Sequence, residues 1–247
     1  MNLLLLEEGE IDASGEARLS GRRARHAAEV LRATAGDTLS VGLLGGRMGS
    51  ARVLSSAPDA LALRATLDLE PPPPSPVELL LALPRPKILR KVLQSAASMG
   101  VKRLVLLGTY RVEKSYFGSP LLAPEAIREE LRLGLEQGKD TVLPEVLLFR
   151  FFKPFVEDHL DRLFPGAARL VAHPSAAAPL ARLPRPGGPR ALLAIGPEGG
   201  FTAYEAETLA ARGFVPFSLG PRVLRVDAAV PYAVGQVELW WREGAGA

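Results

Sequence analysis

The stretch LLAIGPEGGFT, residues 192–202, runs from an apolar segment of strand type through a glycine-rich turn to the start of a helix. Thr202 and Glu205 have the spacing of a capping box, which fixes where that helix begins. Glycines at the end of a strand let a ligand approach the backbone closely, and open sheets bind ligands beyond the carboxyl ends of their strands. The stretch predicts a ligand-binding loop, with an ordinary tight turn as the alternative. It matches neither a Walker loop nor the G-x-G-x-x-G dinucleotide fingerprint.

A second stretch of the same kind, LGPRVLRVD, covers residues 219–227 and also leaves an apolar run to enter a helical pattern. Apolar runs alternate with helical patterns over the whole C-terminal part of the chain. The predicted strands are Leu79–Leu83, Leu104–Leu107, Val146–Phe149, Leu170–Ala172, Leu192–Ile195 and Val215–Leu219, and the predicted helices are 88–97, 124–138, 153–163, 203–212 and 227–241. This alternation predicts an α/β domain with a mostly parallel sheet covered by helices.

The proline run at residues 71–76 predicts a stiff linker, because neither a helix nor a central strand accepts consecutive prolines. Short apolar runs precede it and predict a small β-barrel. These runs are Met1–Leu6, Leu39–Leu44, Ala51–Leu54 and Leu61–Leu67, with a hairpin turn at Gly45-Gly46 and a helix over 22–32. Residues 176–189, rich in Ala, Pro and Gly, read as a loop.

The 247 residues carry a net charge of +3, but the positive charge is concentrated in two segments. Residues 84–114 hold Arg85, Lys87, Arg90, Lys91, Lys102, Arg103, Arg111 and Lys114 against Glu113 alone. The other segment holds Arg18, Arg22, Arg23, Arg25, His26 and Arg32 against Glu29. Either segment alone is equally compatible with a solvated surface, whereas two in one chain favour a nucleic-acid partner.

Cysteine is absent, which excludes disulfides and thiolate chemistry and fits a reducing cytoplasm. The three histidines lack the spacing of metal ligands, so no metal is expected. No run is long and apolar enough for a membrane span, and the acidic residues after Leu6 make a poor signal peptide, so we expect a cytoplasmic protein without a membrane partner.

The two glycine loops together are far more specific than either alone. The pattern G-P-E-G-G-F-[ST]-x-x-E, followed by L-G-x-R-[IV]-L-R, resembles the uridine-N3 methyltransferases of small-subunit (16S) ribosomal RNA, which belong to the SPOUT class. Further matches are HAAEVLR (residues 26–32), Gly36-Asp37, LEQ (135–137) and PEV (144–146), so the resemblance covers nearly the whole chain.

The resemblance implies a PUA-like RNA-binding barrel over 1–70, a linker at 71–76 and a SPOUT methyltransferase domain over 77–247 with a deep trefoil knot. It also implies a homodimer and an S-adenosylmethionine pocket built from three loops. Carried onto this chain, the cofactor-binding positions are Ala172, His173, Pro174, Ile195, Gly196, Pro197, Glu198, Gly199, Gly200, Leu219, Gly220, Pro221, Val223 and Leu224. His173 is read as a turn residue more readily than as a catalytic base.

The chain departs from the family pattern at three places. SAASMGV (residues 95–101) stands where the family shows K-A-T-E-L-G-V, VDAA (226–229) stands where it shows T-E-T-A, and an arginine near Asp140 is missing. With Asp227 in place of the family's Glu, the chain still has an acidic residue at the start of the last helix.

Methylation at the N3 position of uridine removes an imide proton, so negative charge develops on the uracil carbonyl oxygens and arginine suits their stabilisation. The predicted catalytic residues are therefore Arg225 and Arg111, which bind the uracil oxygens or an RNA phosphate, and Glu136 and Gln137, which orient the base. A helix surface or an interdomain hydrogen bond is the alternative for Glu136 and Gln137. The predicted RNA-binding residues are Arg22, Arg23, Arg25, His26, Arg32, Lys87, Arg90, Lys91 and Lys114.

The sequence thus predicts methylation of a 16S ribosomal RNA uridine, with naked RNA or the small ribosomal subunit as substrate. Two alternatives stay open: a knotted methyltransferase acting on transfer RNA or a ribose 2′-hydroxyl, and a non-catalytic RNA-binding module for ribosome assembly.

Overall fold

The computed structural model describes residues 2–184 and 188–244. The chain divides into two compact units by its contacts: unit 1 is Met1–Pro73 with Leu131–Leu143, and unit 2 is Pro74–Glu130 with Pro144–Ala247. Residues 131–143, which the sequence pattern assigns to the C-terminal domain, thus belong to unit 1. Part of the predicted loop at 176–189, namely 185–187, lies outside the described residues.

Unit 1 is built on a five-stranded sheet with the order β1-β3-β4-β5-β2. The strands are β1 (Leu4–Leu6), β2 (Glu16–Ser20), β3 (Thr38–Leu43), β4 (Met48–Ala57) and β5 (Ala60–Leu69). Strand β1 runs parallel to β3, and the other pairs are antiparallel. The hairpin predicted at Gly45-Gly46 is confirmed, since β3 and β4 pair antiparallel on either side of it.

The sheet of unit 1 is open, because its edge strands β1 and β2 do not pair with each other among the described residues. A closed barrel was expected. Instead, helix α1 (Gly21–Arg25), extended by a π-helical turn at His26–Val30, packs against β2, β4 and β5. Ala24 and Ala27 from this segment are fully buried in the core of the unit. The helix therefore covers apolar surface that further strands would cover in a closed barrel.

Unit 2 contains a six-stranded sheet with the order β11-β9-β10-β6-β7-β8, and every pair in it is parallel. Its strands are β6 (Val77–Ala82), β7 (Arg103–Leu107), β8 (Glu145–Phe149), β9 (Ala168–Ala172), β10 (Ala191–Ile195) and β11 (Val215–Phe217). The predicted parallel sheet is thus confirmed. After β8 the chain returns to the other side of β6, so the strand order reverses between β6 and β10. Ligands of open α/β sheets bind at such a switch point.

Helices cover the sheet of unit 2. They are α2 (Pro86–Ser98), α4 (Phe152–Pro154), α5 (Leu160–Leu163), α6 (Ala203–Ala211) and α7 (Val226–Gly244), with a π-helical turn at Phe155–His159 joining α4 to α5. Helix α3 (Pro124–Gly138) begins in unit 2, and its residues from Leu131 onward belong to unit 1. Helix α2 buries one face, which includes Leu89, Val92 and Leu93. These side chains recur at the three- and four-residue spacing that defines an amphipathic helix. Helix α7 packs against α2.

Candidate functional site

Three loops that follow β9, β10 and β11 line one cavity in unit 2, here called the three-loop cavity. Its walls come from 172–174, 195–201 and 219–226, with Ala229 of α7 completing it. Twelve of the fourteen predicted cofactor positions line it; Gly199 and Pro221 do not. Four lining residues were not predicted: Phe201, Arg222, Val226 and Ala229. Because parallel strands end at the same edge of a sheet, loops distant in sequence converge there.

The backbone of these loops is shaped for close approach by a ligand. Gly200 and Gly220 have φ angles of +73° and +117°, a region that residues with a side chain rarely adopt. A Cβ atom at Gly196 would lie 3.1 Å from the Phe201 ring, so a larger residue would narrow the cavity. In the described part of the chain, the backbone N–H groups of Val223 and Leu224 donate no hydrogen bond. These groups are therefore available to a bound molecule.

The first glycine loop is anchored by the buried carboxylate of Glu205. Its Oε2 accepts hydrogen bonds from the Thr202 backbone N–H at 2.8 Å and from the Thr202 hydroxyl at 3.0 Å, which confirms the predicted capping box. Its Oε1 accepts the backbone N–H of Tyr110 at 2.7 Å. One side chain thus ties the loop after β10 to the loop after β7.

Arg111 and Arg225, the predicted catalytic arginines, both lie in unit 2 and have exposed side chains. The guanidinium of Arg111 donates to the carbonyl oxygen of Gly199, within the first glycine loop. Arg225 Nη2 lies 3.2 Å from Asp227 Oδ2, which also accepts from Lys91 Nζ at 3.0 Å. The hydrogen bond from Lys91 and the positive charge of Arg225 hold the pKa of Asp227 below its ordinary value. Asp227 is therefore ionised and orients the Arg225 guanidinium.

His173 lies at the turn after β9, where its Nδ1 accepts the backbone N–H of Ser175 at 3.3 Å. Its own backbone N–H donates to the carbonyl oxygen of Phe217 at 3.0 Å. Because these contacts order the turn, they support the reading of His173 as a turn residue.

Glu136 and Gln137 lie in unit 1. The Glu136 carboxylate is buried and accepts two hydrogen bonds from the Arg22 guanidinium, at 2.9 and 3.1 Å. Each of its oxygens thus accepts one hydrogen bond in a structural ion pair, and the orientation of a base by Glu136 stays a prediction. The exposed Gln137 accepts a hydrogen bond from the Asn2 side chain at its backbone carbonyl oxygen, and its own side chain has no hydrogen-bond partner among the described residues.

The predicted RNA-binding residues of unit 1 divide into two groups. Arg22, Arg25 and Arg32 are exposed. Arg23, in contrast, is mostly buried and donates to both Glu10 and the carbonyl oxygen of Leu5. The Nε2 atom of His26 is buried without a partner in the described chain, and burial lowers its pKa. Arg23 is therefore structural, and the lowered pKa of His26 disfavours the charged form that would bind a phosphate.

The predicted RNA-binding residues of unit 2 are all exposed. Arg90 lies 2.8 Å from Glu130, and Lys91 is the residue that contacts Asp227. Lys87 and Lys114 form no ion pair with any described residue. The basic segment at 84–114 is thus partly neutralised by internal ion pairs, which its sequence could not reveal.

Residues 2–184 and 188–244 contain no group of three His, Asp or Glu side chains able to hold a metal ion. Over the same residues, no helix is both long enough and apolar enough to cross a membrane.

Comparison with known proteins places this geometry in context. The family described as an RNA methyltransferase domain matches residues 71–238. The chain is 31% identical, over 93% of its length and 87% of the relative's, to ribosomal RNA small subunit methyltransferase E of Treponema pallidum (strain Nichols).

Two solved structures share the fold. A methyltransferase from Legionella pneumophila in complex with bound SAM is 25% identical with a TM-score of 0.73, and 97% of each chain is covered. The ribosomal RNA small subunit methyltransferase E of Neisseria gonorrhoeae, bound to S-adenosyl methionine, is 21% identical with a TM-score of 0.73 over 98% of each chain.

Proposed function

Because this chain belongs to the RNA methyltransferase family that includes ribosomal RNA small subunit methyltransferase E, we propose that it methylates the N3 position of a uridine in 16S ribosomal RNA. S-adenosylmethionine is the methyl donor. The observation that carries the proposal is the convergence of 172–174, 195–201 and 219–226 on one cavity. The SAM-bound Legionella pneumophila methyltransferase, which shares the fold, supports the same assignment.

The three-loop cavity fits a donor of this kind. Apolar side chains, among them Ile195, Leu219 and Leu224, provide walls for an adenine ring, while the unpartnered N–H groups of Val223 and Leu224 can read its polar edge. The bound donor supplies an electrophilic methyl group on its sulfonium centre. The three loops hold the donor in place, and their glycines leave space for it because they carry no side chain.

The role of the two arginines follows from the charge that the reaction develops. When the uridine N3 position loses its proton, negative charge spreads to the flanking carbonyl oxygens, and a positioned guanidinium stabilises it. Arg225, held by Asp227 at the start of α7, and Arg111, held by the Gly199 carbonyl oxygen, are suited to this task. We assign the larger effect to Arg225, because its anchor is ionised.

Replacement of Arg225 tests this mechanism. We expect Arg225→Ala to abolish methyl transfer while leaving the unfolding transition and the affinity for S-adenosylhomocysteine unchanged. Arg242→Ala is the matched control, since Arg242 is similarly exposed and also pairs with a carboxylate, but it lies at the opposite end of α7 from the lining residues Val226 and Ala229. An active Arg225→Ala protein would remove this residue from the mechanism.

Mass spectrometry of the methylated nucleoside tests the substrate. N3-methyluridine in 16S RNA is the expected product. If the product is instead a 2′-O-methylated ribose or a modified transfer RNA, the proposal is wrong and the chain has the activity of a related knotted methyltransferase. Calorimetric titration with S-adenosylhomocysteine separates both from a non-catalytic RNA-binding module, which would give no heat.

RNA binding is proposed to use exposed cations of both units, principally Arg25, Arg32, Lys87 and Lys114, because Arg22 is held by the buried Glu136. Phosphate contacts release counterions, so RNA affinity should fall steeply as salt rises. A salt-independent interaction would contradict this assignment.

Three further features are proposed on family membership: a PUA-like role for unit 1, a trefoil knot formed by the loops of the three-loop cavity, and a cytoplasmic homodimer. Light scattering of the purified chain tests the dimer. A structure with bound S-adenosylhomocysteine tests the knot.

A further inference from the structure

A second cavity of unit 2, with a volume of about 980 Å³, lies beside the first glycine loop. We call it the aromatic cavity. It is lined by Gly108, Thr109, Tyr110, Val112, Lys114, Phe117, 150–154, Thr202, Tyr204 and Glu205. This volume is at the upper end of the range for small-ligand sites, and Lys114 is its only lining residue that the RNA-binding proposal above uses.

Exposed aromatic rings surround this cavity. Tyr110, Phe151 and Tyr204 are 85%, 70% and 55% exposed, although they come from three separate segments of the chain. Soluble proteins rarely leave several large rings open to water around one cavity unless a partner covers them. Flat rings at such a place are suited to stacking, which every nucleobase accepts on its face.

The charge at the cavity is positive. Lys114, Arg150 and Lys153 line it, and neither Lys114 nor Arg150 forms an ion pair with any described residue. Lys153 has a distant partner, Glu157, at 3.8 Å. The single lining carboxylate is Glu205, whose oxygens are already occupied by Tyr110 and Thr202. The cavity therefore combines ring faces with cations, which is the combination that binds single-stranded nucleic acid.

A buried polar atom at the cavity also lacks a partner. Thr109 is 8% exposed and lines the cavity, and its hydroxyl oxygen forms no hydrogen bond within the described chain. Since a buried hydroxyl without a partner is costly, a ligand or water that bonds to it gains free energy.

The aromatic cavity and the three-loop cavity share one loop. Gly200 and Phe201 line the three-loop cavity, whereas Thr202 and Tyr204 line the aromatic cavity. An RNA chain that enters the aromatic cavity therefore passes beside the loop that holds the methyl donor.

We propose that the aromatic cavity binds an unpaired nucleotide of the substrate RNA, next to the methylated one, by stacking its base on Tyr110 or Tyr204 and pairing its phosphate with both Lys114 and Arg150. This inference rests on the proposed function, since it concerns the same RNA. A second copy of the chain is the competing occupant, but with a net charge of +3 it offers less charge complementarity.

The test uses short single-stranded RNAs carrying 2-aminopurine or an abasic residue beside the target uridine, with the full chain saturated with S-adenosylhomocysteine. The wild type should quench the 2-aminopurine fluorescence and should lose affinity for the abasic RNA. The double variant Tyr110→Leu/Tyr204→Leu should bind the base-bearing RNA about 10- to 100-fold more weakly. The matched control Tyr110→Phe/Tyr204→Phe keeps both rings and should bind within about 2-fold of the wild type.

The outcomes separate this inference from the proposed function. If the leucine variant binds both RNAs as the wild type does, while donor binding and methyl transfer persist, the inference is overturned and the proposed function stands. If the leucine variant instead loses dimerisation without losing RNA affinity, a second copy occupies the cavity and the inference is again overturned.

Two arms do not depend on the folding of the leucine variant. In the first, the wild type must bind the abasic RNA more weakly than the base-bearing RNA. In the second, Arg150→Gln must reduce the slope of log affinity against log salt concentration by the amount expected for about one phosphate contact. Equal affinity of the wild type for both RNAs overturns the inference. If the wild type binds no donor, the proposed function has failed instead.

Discussion

Replacement of Glu205 by glutamine should destabilise unit 2 through the first glycine loop. The buried carboxylate, 2% exposed, accepts three hydrogen bonds, one from Tyr110 and two from Thr202. Glutamine keeps one oxygen as an acceptor but replaces the other with an NH2 group, which is a donor. The backbone N–H of either Tyr110 or Thr202 must then face this donor. A buried donor without a partner costs about 1–3 kcal/mol, and the remaining bonds lose their charge assistance. We therefore expect a loss of roughly 2–3 kcal/mol in the free energy of unfolding.

Urea titration followed by circular dichroism measures this loss directly. For a chain of this size, the expected change lowers Tm by roughly 5–10 °C. Glu207→Gln is the matched control, because Glu207 lies on the same helix with its side chain exposed. It should change the free energy of unfolding by less than about 0.5 kcal/mol. If Glu205→Gln unfolds at the same urea concentration as Glu207→Gln, the carboxylate does not anchor the loop and the reasoning is wrong.

Four other outcomes are expected. Gly196→Val should weaken S-adenosylhomocysteine binding in calorimetry without unfolding the chain, because its side chain projects towards the Phe201 ring; unchanged affinity would contradict the placement of the donor. Gly49→Ala should destabilise unit 1 severely, because its Cβ would lie 1.9 Å from the Thr66 carbonyl oxygen. The ion pairs of Asp227 stabilise the folded chain above the pKa that this carboxyl has in the unfolded chain, and this stability is lost as the pH falls through its lowered pKa in the folded chain. Asp227→Asn should therefore make the free energy of unfolding depend less on pH below about 4. Methyl transfer should persist in a chelator; its loss would require a metal in the mechanism.

The sequence predicted the parts of the site that are local in the chain. A strand, a glycine turn and a capping residue follow one another within a dozen positions, so 195–200 and 219–224 were recognisable as strand-end loops. Family resemblance added 172–174, and the shared edge of a parallel sheet explains why all three line one cavity.

Interactions between distant residues were not predictable. Arg22 and Glu136 are far apart in sequence and each looks like an available surface charge, yet they form an ion pair inside unit 1. Strand β2 was missed because the strands of this part were predicted from apolar runs, whereas Ala17 and Leu19, its two buried residues, alternate with polar ones. The aromatic cavity was missed for a related reason: its rings come from three segments, none of which is unusual alone.

The position of β10 has a consequence for how the chain folds. This strand lies between β6 and β9, and its register with β6 joins residues more than a hundred positions apart, such as Val77 and Ala191. Closing so long a loop costs entropy before any hydrogen bond repays it, so the centre of the sheet assembles late and slowly. Until then β6 and β9 expose unsatisfied edges, and during synthesis these apolar edges are where the nascent chain is vulnerable to aggregation.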